Sequence, residues 1–313
     1  MYSGYLFDSH CDTMSKALDS GESIADGKLH FTIEKVKGYR GVVQFFAAFI
    51  DPEFYNAPMK RCLAIIRHFE DCIAQNGSTM AKVTNYGEMI RALDDGKIAS
   101  FLTVEGGEAL DGGIESVQKL YDLGVRCLTL TWNFKNKIAC GIFDDDEDEG
   151  ISQYGKEVIR EMNRLNMLID VSHIANRSFW EVMELSQKPV LATHSNSKAI
   201  ADYRRNLTDE QFKAIVQSGG MVGLNMCALF LNIKNKADVT DIVRHIDHFL
   251  SLGGENHIGL GADFDGIDDT PDDITSVDKM YLLADALLRE GYSDELIHKI
   301  MYKNYFSFIQ KVL

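Results

Sequence analysis

The sequence predicts an α/β fold, and in particular a (β/α)8 barrel of the TIM type. Eight short runs rich in apolar, β-branched and aromatic residues recur along the 313 residues, with helix-like segments between several of them. Most of these runs are apolar throughout instead of alternating, which is typical of parallel strands buried on both faces. Eight such units in roughly this length favour a closed barrel, and an open doubly wound sheet is the structural alternative.

The predicted elements follow one another in chain order. The strand-like runs are "YLFDSHCD", "GVVQFFAAFI", "IASFLTVEGG", "RCLTLTWN", "MLIDVSH", "PVLATHSN", "GGMVGLNMC" and "HIGLGADFDG". Helix-like segments cover 57–75, 112–123, 155–166, 176–187, 209–218, 238–252, 276–290 and about 293–313. The stretch "TDEQ" at 208–211 has the form of a capping box. No Pro/Gly-rich linker interrupts the series, so we expect 1–313 to form a single barrel domain with a C-terminal helical extension.

Composition and charge narrow the classes of partner. The chain carries 32 basic and 47 acidic residues, a formal charge of −15, which disfavours nucleic acids and anionic membranes as partners. The six cysteines form no CxxC pair and no disulfide-like framework, so we expect free thiols in a reducing compartment. We find no signal peptide and no apolar stretch long enough to span a membrane. A cytoplasmic location is therefore the expectation.

Polar residues that bind metals or move protons stand at the ends of several predicted strands. They are His10, Asp12, Glu105, His173, His194, Asp263 and Asp265. In a parallel barrel the carboxyl ends of all strands surround one mouth, where active sites are built. We therefore expect residues that are far apart in the sequence to meet there.

The pair His10 and Asp12 shows why a metal is expected. Side chains alternate along a strand, so these two face the same side and Cys11 faces the other. An imidazole and a carboxylate on one face can bind a first-row metal ion, although alone they could equally form a buried hydrogen bond. With Glu105 and two further histidines they make a ligand set for two zinc-like ions, which a carboxylate can bridge at a separation of ~3.5–4 Å.

Other motifs are interpreted as structural. His245 and His248 lie at i and i+3 on a predicted helix, and we interpret them as helix-surface or interface residues. Cys11 beside His10 is not expected to be a nucleophile, because neighbouring strand residues point apart. The sequence contains neither GxSxG nor HExxH. The run "GLGADFDG" lacks the third glycine of a dinucleotide fingerprint and the lysine of a P-loop.

Five motifs, in order from residue 6 to the C-terminus, resemble the membrane dipeptidase (renal dipeptidase) family of zinc peptidases. They are "DSHCDT", "TVEGGEALD", "LIDVSH", "ATHSN" followed by "YRRNLTDEQF", and "GLGADFDGI". The resemblance implies a barrel of the metallo-dependent hydrolase type with two Zn²⁺ per chain, often in a homodimer. The family hydrolyses dipeptides and often accepts a D-residue at the C-terminal side. Secreted members carry a signal peptide and a lipid-anchor tail, so this chain is similar to the bacterial cytoplasmic type.

The same resemblance implies roles for the metal ligands. His10 and Asp12 would bind one zinc ion, and His173 and His194 would bind the other. Glu105 would bridge the two ions and so belong to both the metal-binding and the catalytic residues.

Two further roles concern the substrate. Arg205, the second arginine of "YRRN", matches the family residue that holds the substrate's C-terminal carboxylate. Asp263 matches a catalytic aspartate near the substrate amine and the metals, where it could receive a proton from water or pass one to the leaving amine.

The sequence departs from the family pattern at two positions. Animal-type members have a histidine after "LTLT" that contacts the substrate near the scissile carbonyl, and here Trp132 stands in that place. A tyrosine expected after "GGxVxxNF" is missing, and "GGMVGLNMC" offers Cys227 instead. We expect Trp132 to shape a tighter substrate pocket. Asn133 would act as a hydrogen-bond donor there only if the strand ends and the loop turns it inward.

Two alternatives to a dipeptidase stay open at this point. One is another metal-dependent amidohydrolase on the same barrel, acting on a cyclic amide, a lactone or a nucleobase. The other is a non-catalytic metal-binding or scaffold protein, which the presence of all five ligand types disfavours.

Overall fold

The computed structural model describes residues 2–147 and 149–313. In these residues nine parallel strands form one sheet. The strands are β1 (Tyr5–Cys11), β2 (Gly41–Phe49), β3 (Met80–Lys82), β4 (Ile98–Glu105), β5 (Val125–Thr129), β6 (Leu168–Asp170), β7 (Val190–Ala192), β8 (Met221–Leu224) and β9 (Ile258–Leu260). Eight of them close a ring, because β2 pairs directly with β4 and β9 pairs with β1. The predicted (β/α)8 barrel is therefore confirmed.

Strand β3 was not predicted and does not belong to the closed ring. It pairs with the first half of β4, at Ile98 to Ser100, whereas β5 pairs with the second half, from Leu102 onward. The two strands thus share one edge of β4. Three residues reading "MAK" carry neither an apolar run nor a β-branched side chain, so the hydrophobic pattern gives no sign of this strand.

Helices cover the outside of the ring. They are α1 (Thr13–Ser20), α2 (Pro58–Gln75), α3 (Tyr86–Asp94), α4 (Glu115–Asp122), α5 (Gln153–Leu165), α6 (Asn176–Leu185), α7 (Asp209–Gln217), α8 (Ala228–Leu231), α9 (Val239–Ser251), α10 (Tyr281–Arg289), α11 (Asp294–His298) and α12 (Asn304–Val312), with a π-helical turn at Lys299–Lys303 between the last two. The capping box expected before α7 is present, since Thr208 and Gln211 each accept a hydrogen bond from the other's backbone N–H. The segment expected to be one helix at 293–313 is divided by the π-helical turn.

Helices α1, α3 and the short α8 were also not predicted. Helix α1 has no side-chain cap, so it offers little local signal. Helix α3 does have one, because Asn85 accepts a hydrogen bond from the backbone N–H of Glu88. An N-cap asparagine followed three residues later by glutamate is a start signal that the sequence carries.

The apolar core has two parts, which lie on the two faces of the barrel wall. Alternate strand residues such as Phe7, Phe45 and Phe101 belong to the smaller cluster, which also includes Tyr305 of α12. The Tyr305 ring stacks on Phe7 with ring centroids 4.6 Å apart, and its hydroxyl donates to Ser9 Oγ at 2.7 Å. The larger cluster packs the helices against the strands. Helix α12 therefore anchors the C-terminal part of the chain to the barrel.

The structure also bears on the expectations about the cysteines and about membrane-spanning segments. All six cysteines are thiols outside any disulfide, as predicted. Among the described residues, no helix combines the length and the apolar character that crossing a bilayer requires.

Candidate metal centre

The barrel brings the predicted ligands together at the carboxyl ends of its strands. His10 lies near the end of β1 and Asp12 directly follows it, while Glu105 is the last residue of β4. His173 and His194 follow β6 and β7 in the same way. Parallel strands direct all of these ends toward one mouth, and all five side chains are buried.

Glu105 stands at the centre of this cluster, with its two oxygens facing different histidines. The Oε2 atom lies 3.2 Å from His10 Nε2. The Oε1 atom lies 2.9 Å from His173 Nε2 and 3.6 Å from His194 Nε2. A carboxylate divided in this way has the arrangement that a ligand bridging two metal ions requires.

A second group of potential ligands surrounds His10. Its Nε2 atom lies 3.8 Å from Asp12 Oδ2 and 3.8 Å from Asp263 Oδ1, and these three residues could hold one ion. The other oxygen of Asp12, Oδ1, is buried and has no hydrogen-bond partner. Leaving a buried carboxylate oxygen unpaired is costly, so this atom is available for a cation.

His173 and His194 face each other through their Nε2 atoms, which are 2.8 Å apart. The opposite ring nitrogen of His173, Nδ1, lies 2.8 Å from Asn133 Oδ1. Because an amide oxygen only accepts, Nδ1 carries the proton and Nε2 keeps its lone pair. The atom that faces the centre is therefore the one a metal would use.

The loop backbone at this mouth is unusual. His173 and Asp263 both have positive φ angles, 69° and 63°, although neither is glycine. Such strained conformations persist only where the surroundings enforce them. Backbone hydrogen bonds hold both residues, since Ile142 N–H donates to His173 O at 2.7 Å and Asp263 N–H donates to His10 O at 3.1 Å.

Gly266 is needed for close approach between two carboxylates. A Cβ atom at this position would lie 2.1 Å from Asp12 Oδ2 and 2.6 Å from Asp263 Oδ1. Any side chain here would displace both groups. Asp265 does not join the cluster, since its oxygens accept from the hydroxyl of Thr13 at 2.5 Å and from the backbone N–H of His30 at 2.7 Å.

Two buried acids at the centre have raised pKa values. Burial, together with the nearby Asp12 carboxylate, raises the pKa of Glu105 to about 8. Burial also raises the pKa of Asp263 to about 6 despite the neighbouring His10. For His10, burial lowers the pKa, but the carboxylates of Glu105 and Asp12 outweigh this effect, and the pKa lies well above its usual value. Excess buried negative charge therefore draws in positive charge, which a metal ion would supply.

The other two histidines have the opposite shift. Burial holds the pKa of His173 well below its usual value, and Arg205 lowers it further. Burial likewise lowers the pKa of His194, with His10 and His173 adding to the effect. Both rings are therefore neutral at physiological pH, which is the form that binds metals.

A cavity of about 410 Å³ opens onto the centre. Glu105, His173 and Asp263 line it, as do Trp132 and Asn133. Strand β5 ends at Thr129, before both of these last residues, so neither is held to the alternation of a strand. The condition for Asn133 to turn inward is met, and its Oδ1 atom is bonded to His173.

Arg205 is not among the residues that line this cavity, but it lies close to one of them. Its guanidinium carbon is 5.4 Å from the centre of the Phe230 ring, which does line the cavity. Its Nη2 atom donates to His194 O at 3.5 Å, and its Nε has no partner. Arg205 is buried, and burial lowers the pKa of its guanidinium from the usual value. A buried guanidinium with a free N–H is suited to receive an anion.

Some residues at the centre were not anticipated from the sequence. Asn225 donates through Nδ2 to Asp263 Oδ2 at 2.8 Å, and so holds that carboxylate in place. Asp170 and Thr193 contact the histidine-bearing loops. The sequence offers only weak signals for these three residues, namely their positions at or just beyond strand ends.

The interpretation of His245 as a helix-surface residue was wrong. His245 is fully buried, accepts a bond from Ser197 N at Nδ1 and donates from Nε2 to Leu231 O, each at 3.0 Å. Both ring nitrogens are satisfied, so His245 links α9 to the loop at Ser197 and to the end of α8. His248 is half-buried and lies 2.7 Å from Asp209.

Comparison with known proteins agrees with this architecture. The sequence profile of the family described as "Membrane dipeptidase (Peptidase family M19)" matches residues 1–312. A Klebsiella pneumoniae protein described as "Uncharacterized protein in pqqA 5'region" is 33% identical over 259 residues, 80% of this chain and 94% of that protein.

Two solved structures have nearly the same fold. The dipeptidase AC, a metallopeptidase, superposes with a TM-score of 0.90 at 27% identity over 99% of both chains. A metallopeptidase from Rhodobacter sphaeroides, liganded with a phosphinate mimic of the dipeptide L-Ala-D-Ala, superposes with a TM-score of 0.91 at 27% identity over 100% of both chains.

Proposed function

The chain belongs to the membrane dipeptidase family of metallopeptidases, and from this we propose that it is a binuclear zinc dipeptidase. The observation that supports two ions most strongly is that the two carboxylate oxygens of Glu105 face different histidines. One oxygen faces His10, and the other faces His173 and His194. His10 and Asp12 would hold one ion, His173 and His194 the other, with Glu105 between them.

The donor atoms fit this metal. Imidazole nitrogens and carboxylate oxygens are common zinc ligands, and the buried Asp12 Oδ1 has no other partner. Bound zinc would lower the pKa of a coordinated water toward neutrality and polarise the scissile carbonyl.

Asp263 would serve as the residue that moves protons. Asn225 fixes its Oδ2 atom, and in the metal-free site burial raises the pKa of Asp263 to about 6. The Oδ1 atom points toward His10 and is free to take a proton from the attacking water. The same atom would then return that proton to the amine that leaves.

Arg205 would bind the substrate's C-terminal carboxylate. This role is supported by its burial and by its unpartnered Nε. A forked pair of charged hydrogen bonds would fix the distance from the terminal carboxylate to the scissile bond, and so restrict substrates to very short peptides.

The aromatic residues would shape the rest of the site. Trp132 packs against Phe49 with ring centroids 5.5 Å apart, and both line the cavity. The indole has one N–H donor and no acceptor, so we propose that Trp132 mainly limits the size of the substrate pocket. Asn133 would orient His173, and a direct contact with substrate stays a prediction.

We further propose that dipeptides with a D-residue at the C-terminal side are substrates. The Rhodobacter sphaeroides relative binds a mimic of L-Ala-D-Ala and covers the whole of this chain. We also propose that residues 1–313 form a single domain, that the protein is a homodimer and that it is located in the cytoplasm. Six cysteines outside any disulfide are in keeping with a reducing compartment.

The test is an activity panel with zinc-replete protein. It should contain dipeptides with L- and D-configured C-terminal residues, together with cyclic amides and lactones, which represent the alternative amidohydrolase function. Dipeptide hydrolysis that is lost in His194→Ala would support the proposal. Turnover of a cyclic amide or lactone without any dipeptide turnover would contradict it.

A further inference from the structure

Asp170, the last residue of β6, accepts four hydrogen bonds although it contacts no proposed metal ligand side chain. Its Oδ1 atom accepts from the backbone N–H groups of Ser172 and Thr193, each at 2.9 Å. Its Oδ2 atom accepts from the hydroxyls of Thr129 and Thr193, each at 2.6 Å. Asp170 is fully buried, so these bonds replace all of its contacts with water.

These bonds determine which way the Thr193 hydroxyl points. A hydroxyl has one proton, and a carboxylate can only accept, so the Thr193 proton lies toward Asp170. Thr193 Oγ1 is also 2.9 Å from His194 Nδ1. With its own proton already committed, Oγ1 can only accept there, and Nδ1 of His194 must carry the proton.

The proton on His194 Nδ1 determines which ring nitrogen can bind a metal. A neutral imidazole has one N–H, so a proton on Nδ1 leaves the lone pair of His194 on Nε2. That atom faces His173 Nε2 at 2.8 Å. Two unprotonated nitrogens at this distance repel each other unless a cation lies between or beside them.

Asp170 also connects the two loops that carry these histidines. Its bond from Ser172 N fixes the turn just before His173, and its bond from Thr193 N fixes the residue just before His194. Ser172 Oγ in turn accepts from the backbone N–H of His194 at 3.2 Å. One carboxylate therefore holds both loops and one ring orientation.

We propose that Asp170, acting through Thr193, is a positioning residue that prepares His173 and His194 for one of the two metal ions. The inference rests on the proposed binuclear site. A longer contact of 3.5 Å joins Thr193 Oγ1 to His10 Nδ1, so a smaller effect reaches the other ion.

The test is zinc affinity, measured by competition with a chromophoric chelator on the metal-free full-length protein. Thr193→Val keeps the shape of the side chain and removes the hydroxyl, whereas Thr193→Ser keeps the hydroxyl and removes a methyl group. Outer partners of ligand histidines typically change metal affinity by about 10–100-fold. We expect Thr193→Val to weaken one zinc equivalent by about that factor, and Thr193→Ser to bind both within ~3-fold of wild type.

Two further variants keep the result interpretable. Asp170→Asn should weaken the binding of the same zinc ion, because the NH₂ group of the asparagine side chain cannot accept hydrogen bonds and the four bonds cannot all be kept. In a His10→Ala background, which is designed to retain only the His173 and His194 position, Thr193→Val should weaken the remaining zinc. Thermal unfolding of each metal-free variant shows whether it has folded.

The outcomes separate the two proposals. Wild-type protein that binds no zinc would overturn the proposed function and this inference together. Two tight equivalents in wild type that are unchanged in Thr193→Val would overturn this inference alone. The same is true if Thr193→Ser loses as much affinity as Thr193→Val, since packing and not the hydroxyl would then be responsible.

Discussion

Carboxylate recognition by Arg205 can be tested by changing the enzyme and the substrate together. Arg205 is 5% exposed, its Nη2 atom has one long bond to His194 O, and its Nε has no partner. A substrate carboxylate would complete two charged hydrogen bonds, worth about 1.5–3 kcal/mol each. The sum is about 3–6 kcal/mol, and about 1.4 kcal/mol corresponds to a tenfold change in rate. Amidation of the substrate C-terminus should therefore lower kcat/KM by about 10²–10⁴-fold.

The assay compares a dipeptide with its C-terminal amide in wild type, Arg205→Lys and Arg205→Met. Lysine keeps the charge and loses the fork, so it should retain part of the preference for the free acid. Methionine loses both, and the two substrates should then differ by less than about tenfold. Zinc content must be equal in all three proteins. If wild type hydrolyses the acid and the amide equally well, or if Arg205→Met keeps the full preference, Arg205 does not bind a carboxylate.

Three further predictions concern the metals and the pocket. Zinc binding should tighten between pH 6 and 8 by up to about tenfold per pH unit for each proton released, because zinc must displace the proton that Glu105 holds below its pKa of about 8 and the proton that the raised pKa keeps on His10; affinity independent of pH over that range, measured by chelator competition, would contradict this. Trp132→His should change the ranking of dipeptides by side-chain size in kcat/KM at unchanged metal content, with a smaller change in Asn133→Ala; a uniform effect across the series would argue against a pocket role for Trp132. Gly266→Ala should lower zinc content as measured by elemental analysis, since its Cβ would lie 2.1 Å from Asp12 Oδ2; normal zinc content would show that the loop adjusts.

The barrel was predictable because its signals are local. Each long strand is an apolar run of its own, and a polar residue such as Glu105 or Asp263 at or just beyond a strand end is visible without any tertiary information. Strand β3 was not predictable, because its three residues gain their strand conformation from pairing with an edge of β4 that β5 leaves open. Tertiary pairing, not local propensity, decides such a segment.

The ligand residues could be predicted from the sequence, but the residues that contact them could not. His10, His173 and His194 could be chosen from the sequence because imidazoles at strand ends are rare and chemically distinctive. Thr193 and Asn225 are ordinary polar residues, and their importance comes from one oxygen or one N–H placed beside a ligand by the fold. His245 shows the converse, since its helical spacing suggested a surface residue, whereas the fold buries it completely.

The most direct test of a binuclear zinc dipeptidase is to return zinc to the metal-free protein and follow dipeptide hydrolysis. Activity should be absent without metal and should rise with added zinc until two equivalents per chain are bound, with bound zinc counted in the same samples. Full activity in protein shown to contain no metal would contradict the central role given to His10, Asp12, Glu105, His173 and His194. Saturation of activity at one equivalent would contradict the bridging role of Glu105.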